Sequence, residues 1–265
     1  MSFAARRPIL TFLLLMYPLA WALAIASFVV GVPVEVGVAV ATVVGVLGPA
    51  VLVTYWIDGS AAVRRLFAGV LRWRVGVGWY VFAIGVMPPF TILASYLTGT
   101  FALRTGGWAA MVMAYLVALV VGAVFTNLWE EVAWAGFVQS RLTTRHGLLL
   151  GALITGPLFA LQHLPIVLGN GGSAGAILIS GGFLVVTAVF FRYILGATLI
   201  DTGGSLLIVG ILHASSDASG AAFGNGWQQL LASIPIALLV LAYRALRHRE
   251  VNARTAVVAP TPVSA

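Results

Sequence analysis

The sequence predicts an all-α fold, a polytopic membrane helix bundle of about eight transmembrane helices. Three observations carry that reading. Of the 265 residues, 61% are hydrophobic and 8% charged, and the mean hydropathy is +1.07, which leaves too little polar surface for a water-soluble domain. The apolar residues fall in runs of about 20, the length needed to cross a hydrocarbon core of about 30 Å. The arginines gather between those runs and at the two ends, a pattern that orients a membrane protein.

In chain order the runs cover 8–30, 36–57, 75–97, 108–140, 147–168, 174–200, 204–222 and 226–246, divided by Gly, Pro and Arg. The first follows Arg6 and Arg7 as a signal peptide would, yet it is too long for one and reads as a retained span. Residues 58–74, with Arg64, Arg65, Arg72 and Arg74, form the longest basic connection, and 169–175 form a polar glycine loop. One transmembrane domain is expected over 1–250, with a disordered cytoplasmic tail over 251–265. No internal repeat is visible, which argues against the inverted-repeat transporters. Gly220 and Gly224 have the GxxxG spacing that lets helices approach closely.

Eight spans with both termini inside collect Arg6, Arg7, Arg64, Arg65, Arg72, Arg74, Arg141, Arg145, Arg244, Arg247, Arg249 and Arg254 on the cytoplasmic face, and leave Arg104 outside. The net charge of +7 therefore serves orientation, and membrane lipid rather than nucleic acid is the expected partner. All 14 basic residues are arginine, and with heavy Ala, Val and Gly usage this suits a GC-rich bacterial genome and a bacterial inner membrane. Cysteine is absent, which excludes disulfides, thiolate nucleophiles, zinc–thiolate sites and iron–sulfur clusters. Any metal would need His, Glu, Asp or Asn.

Glu130, Glu131, His163, Arg192, His213 and Asp217 lie in or near apolar runs, where an ionisable group costs about 2.5–3.5 kcal/mol on insertion scales. They are expected to face the bundle interior and to pair. At 1.5 Å per residue, Glu130 lies roughly 16 Å from Arg141, His213 roughly 14 Å from Gly204, and His163 about 20 Å from Leu150. All three reach a similar depth, so one shared cavity is expected, opening toward the cytoplasmic half. Phe159 and His163 share a helix face, as do His213 and Asp217. A carboxylate one turn from an imidazole can fix its tautomer, or both can ligate a cation. Glu130 and Glu131 diverge by about 100°, so they divide their duties. Asn127, one turn before Glu131, is placed to hydrogen-bond it. Trp134, one turn after Glu130, is a candidate groove residue, although packing explains it as well.

These residues, in this order, resemble the CPBP family of intramembrane proteases, which includes the CAAX prenyl proteases and Abi-type bacterial relatives. The glutamate motif is Glu130-Glu131-Val132-Ala133-Trp134-Ala135, the second motif runs from Phe159 to His163, and the third from His213 to Asp217. The arginine that the first motif carries in the family is Ala135 here. The resemblance implies a catalytic core around 108–222 and hydrolysis of a peptide bond in a peptide or membrane-tethered protein. It assigns Glu130 as general base, His163 as the second holder of the water, and His213 with position 217 as the oxyanion site. A metalloprotease version places Zn²⁺ among Glu130, His163 and His213, and the residues leave both versions open. Rival readings are a bis-His haem protein on His163 and His213, a proton-coupled transporter, and a non-catalytic relative.

Arg192 lies nine residues before Asp201, roughly 13 Å from its helix end and near the depth of the glutamates. It either snorkels to the headgroups or turns inward and supplies Glu131 with the positive charge that Ala135 does not.

Overall fold

The computed structural model describes residues 3–169, 171–224 and 227–258, with side chains through 247. The fold is all helical among these residues. Seven stretches are long and apolar enough to cross a membrane. The first three are α1 (Pro8–Val30), α2 (Val34–Ala68) and α3 (Val77–Leu97). The fourth, Gly107–Gln162, has 56 residues and would measure about 84 Å if straight. It reverses instead at Gly147, whose φ of 81° suits glycine. Beyond the turn the chain packs back on itself, and a Cβ on Gly151 would lie 3.1 Å from Thr143 Cα. The stretch thus supplies two legs, α4 (107–146) and α5 (148–162). The remaining helices are α6 (Ala174–Asp201), α7 (Leu206–Phe223) and α8 (Gln228–Val258), so eight apolar legs result.

Local chemistry explains the ends. Gly31 closes α1 in the left-handed region, and the amides of Gly31 and Val32 reach back to the carbonyls of Phe28 and Ser27. Ser173 and Ser205 cap α6 and α7, their hydroxyls accepting from the amides of Ala176 and Ile208. In α2 the helical trace is broken at Gly59, φ 69°, where the apolar run gives way to the basic segment. The expected tail begins as helix, because α8 continues to Val258; residues 259–265 lie outside the described ones.

α7 is the central element. It is 78% buried, against 17–44% for the most apolar windows of the other stretches. Its sequence is the least apolar of the spans, as suits a helix that meets other helices more than lipid. Small residues bring neighbours close: a Cβ on Gly210 would lie 2.8 Å from Leu128 Cα on α4, and one on Gly156 would lie 2.7 Å from Val189 Cα on α6. The Gly220–Gly224 pair works differently from the expected helix-face motif. Gly220 admits the Gln229 side chain from the start of α8, while Gly224 already lies past the end of α7.

The bundle has two distinguishable ends. At one, the Gly69–Gly76 turn meets the α6–α7 turn: Leu206 N donates to Gly69 O, Ser205 Oγ to Arg72 O, and the Arg72 guanidinium to Gly203 O. Arg64, Arg65, Arg74, Arg141, Arg145, Arg244 and Arg247 belong to this end, where Arg244 also pairs with Asp201. At the other end Arg104 donates to Ala221 O, and Ser95 Oγ to Phe223 O.

Candidate active site

Both glutamates come from α4, where a short α-helical turn, Leu128–Glu131, sits between π-helical segments at Ala123–Asn127 and Val132–Gln139. The wider winding changes the rotation of side chains about the axis, and such segments recur at functional sites.

Glu131 is fully buried. Arg192, also fully buried, donates from Nη1 to both of its oxygens at 2.8 and 2.9 Å. The other edge of the guanidinium donates from Nε and Nη2 to Gln139 Oε1 at 2.9 and 2.6 Å, and Gln139 Nε2 returns a hydrogen bond to the Arg192 carbonyl at 2.6 Å. Arg192 therefore turns inward and does not snorkel; α6 supplies the cation beside Glu131, while Ala135 packs in an apolar cluster. The face of Phe159 lies 5.2 Å from Cζ, within cation–π range.

His213, on α7, sits 2.8 Å by Nδ1 from Glu131 Oε1. An ionised carboxylate only accepts, so Nδ1 carries the proton of that bond and the Nε2 edge is directed away from the ion pair. Asp217 lies one turn on, its Oδ2 3.8 Å from Nε2. Asn127 donates to that same Oδ2 at 2.7 Å. The expected Asn127–Glu131 bond is thus replaced by one to Asp217: in an ideal α-helix the two residues share a face, but the π turn at 123–127 alters the register.

Glu130 is 5% exposed. Gln162 Nε2 donates to its Oε1 at 2.5 Å, and Trp134 Nε1 donates to Gln162 Oε1 at 2.5 Å. Its Oε2 lies 4.0 Å from His213 Nδ1. The two glutamates divide their partners yet approach one imidazole, because long side chains close much of a 100° divergence. Trp134 is fully buried and holds Gln162; it lines no groove. His163 ends α5, its Nδ1 3.0 Å from the Phe159 carbonyl. The Phe159 ring stands 4.8 Å from the His163 ring and 5.7 Å from that of His213.

His163, His213, Asp217 and Phe159 line one cavity of about 350 Å³, in the size range of small-molecule and peptide side-chain sites. Glu130 is not among the lining residues, and its Oε2 approaches to 4.0 Å the His213 ring that is. The cavity lies toward one end of the bundle, whereas the expected opening was on the arginine-rich side. It extends past Ile166 and Val167 to Trp227 and Leu230, residues at the end of the bundle opposite the arginines. The expectation used depth along each helix, which carries no information about where neighbouring helices separate.

Two of the atoms a zinc ion would use already have protein partners. His213 Nδ1 is engaged by Glu131 and Glu130 Oε1 by Gln162, and among the described residues no three His, Cys, Asp or Glu side chains stand close enough to hold an ion.

Residues 112–219 match the family model of Rce1-like type II CAAX prenyl endopeptidases. The match covers 108 of the chain's 265 residues and is a similarity to that family. The stretch runs from α4 into α7 and contains both glutamates, His163, Arg192, His213 and Asp217. No curated protein matches the chain. Two residues of this cluster lie outside a reading confined to ionisable groups, Gln139 and Gln162. The signal for both is in the sequence: neutral amides inside apolar runs also need buried partners.

Proposed function

We propose that this protein is an intramembrane endopeptidase that hydrolyses a membrane-associated peptide with a water activated by Glu130 and His163. One observation carries the reading: Glu130 lies 4.0 Å from His213, whose ring lines one cavity with His163 and Asp217. Gln162 occupies one oxygen of Glu130 and leaves the other to accept a proton from water. His163, the next residue, stands at the cavity wall to hold that water. As the tetrahedral intermediate forms, negative charge develops on the former carbonyl oxygen, and the Nε2 edge of His213 serves it. To donate from Nε2 the ring must carry a proton on both nitrogens, and the Asp217 carboxylate, 3.8 Å from Nε2 and accepting from Asn127, is the anion beside that edge. The arginine-rich face, and with it both termini, lies in the cytoplasm, and a bacterial cell membrane is the proposed location.

The test is cleavage of a library of membrane-tethered peptides by purified wild type and Glu130→Gln. Gln keeps the shape and a bond to Gln162 but cannot take a proton, so a loss of at least about 100-fold is expected. Equal cleavage by the two proteins would overturn the proteolytic reading. Wild-type cleavage should also survive chelator treatment, and zinc-reversible inhibition would overturn the metal-free donor set.

A further inference from the structure

Which face of the membrane supplies the substrate follows from setting the arginine distribution against the direction of the cavity. From His213, α7 continues ten residues to Phe223, about 15 Å, and the cavity follows it past Ile166 to Trp227. The rim is open: the Asp217 side chain is 57% exposed, Ile166 40% and Trp227 37%. In the other direction the path is closed. Leu206, Ile208, Val209 and Leu212 are all buried, and the hydrogen bonds joining the Gly69–Gly76 turn to the α6–α7 turn lie across that end.

Arginines mark the closed end. Arg64, Arg65, Arg72, Arg74, Arg141, Arg145, Arg244 and Arg247 all belong to it, and Arg104, whose guanidinium is bonded to a backbone carbonyl, belongs to the open one. Positive residues in short connections stay in the cytoplasm. We infer that the site is reached from the non-cytoplasmic side, so that its substrate is a peptide segment exposed on the outer face, such as the outer juxtamembrane part of a membrane-tethered protein. This rests on the proteolytic reading for the word substrate, but the sidedness of the mouth does not. The lining offers an exposed carboxylate, Asp217, and no Lys or Arg among the described residues, so the segment it accepts is neutral or basic beside the site.

The chain has no cysteine, so single-cysteine variants of the full-length protein give labelling without background. Ile166→Cys at the rim, Ser173→Cys in the following loop and Thr144→Cys between Arg141 and Arg145 are treated with a membrane-impermeant maleimide, on intact cells and after permeabilisation. The expected result is label on Ile166→Cys and Ser173→Cys in intact cells, with Thr144→Cys reacting only once the membrane is opened. The reverse pattern, or equal labelling of all three in intact cells, would overturn the inference. So would an Ile166→Cys protein that stays silent while Ser173→Cys reacts, since the mouth would then be sealed. Labelling needs no turnover, so a failed peptide-cleavage assay leaves this result standing, and the converse also holds.

Discussion

Glu130 and Glu131 are adjacent in the chain and live in different environments. Glu131 is sealed between Arg192 and His213, with every neighbour itself anchored. Glu130 has one oxygen held by Gln162 and the other near an imidazole that borders a cavity. On the proposed reading the fully partnered charge, Glu131, is a strut, and Glu130, with one oxygen left for water, is the reagent. Removing a member of the first set should cost the fold, and removing a member of the second should cost the chemistry.

The largest expected effect is therefore structural. Arg192→Ala leaves Glu131 buried without its cation, a loss of about 3–5 kcal/mol, and should greatly reduce the yield of folded, detergent-soluble protein. Arg192→Gln with Glu131→Gln removes both charges, so size-exclusion profiles should show the double variant less damaged than either single change. If Arg192→Ala folds and cleaves as wild type does, the division between strut and reagent fails.

Next comes Asp217. Asp217→Ala takes away the acceptor for Asn127 and the group beside His213 Nε2, and kcat should fall by about tenfold or more, the scale of one neutral hydrogen bond in the transition state. Asp217→Asn can donate directly and should fall less. An alanine variant with unchanged kcat would remove position 217 from the oxyanion site.

The smallest effect is assigned to Gln162. Gln162→Leu deletes the bridge from Trp134 to Glu130 while leaving the carboxylate in place, so a several-fold drop in kcat with little change in KM is expected from about 1 kcal/mol of lost positioning. A variant that fails to fold would instead move Gln162 into the structural set.

How far this arrangement was legible in the sequence differs by coordinate. Depth was readable: Pro8–Val30 follows from its apolar run, and Arg192 was placed near the glutamates by counting 1.5 Å per residue from Asp201. Rotation about the helix axis was not. Asn127 was expected at Glu131 and meets Asp217, and Trp134 was a groove candidate and lies in the core, because the flanking π-helical turns shift the angular register that a 3.6-residue period assumes. Gln139 and Gln162 carry no charge and so fall outside a search for ionisable groups, although a buried amide needs partners as a charge does. The direction of the cavity depends on where α5, α7 and α8 part, which no single run encodes.

The Arg192–Glu131 pair also has a history within each molecule's synthesis. Glu131 emerges 61 residues before Arg192, so α4 enters the bilayer carrying two carboxylates whose compensating cation has not yet been made. α6 then arrives with an arginine that has nowhere favourable to go except toward α4. Neither helix is a comfortable passenger alone, at about 2.5–3.5 kcal/mol for each charge near the bilayer centre. A chain that stops between them holds an unmatched buried acid, and a chain that forms the pair has brought together the two helices that carry Glu131 and Arg192.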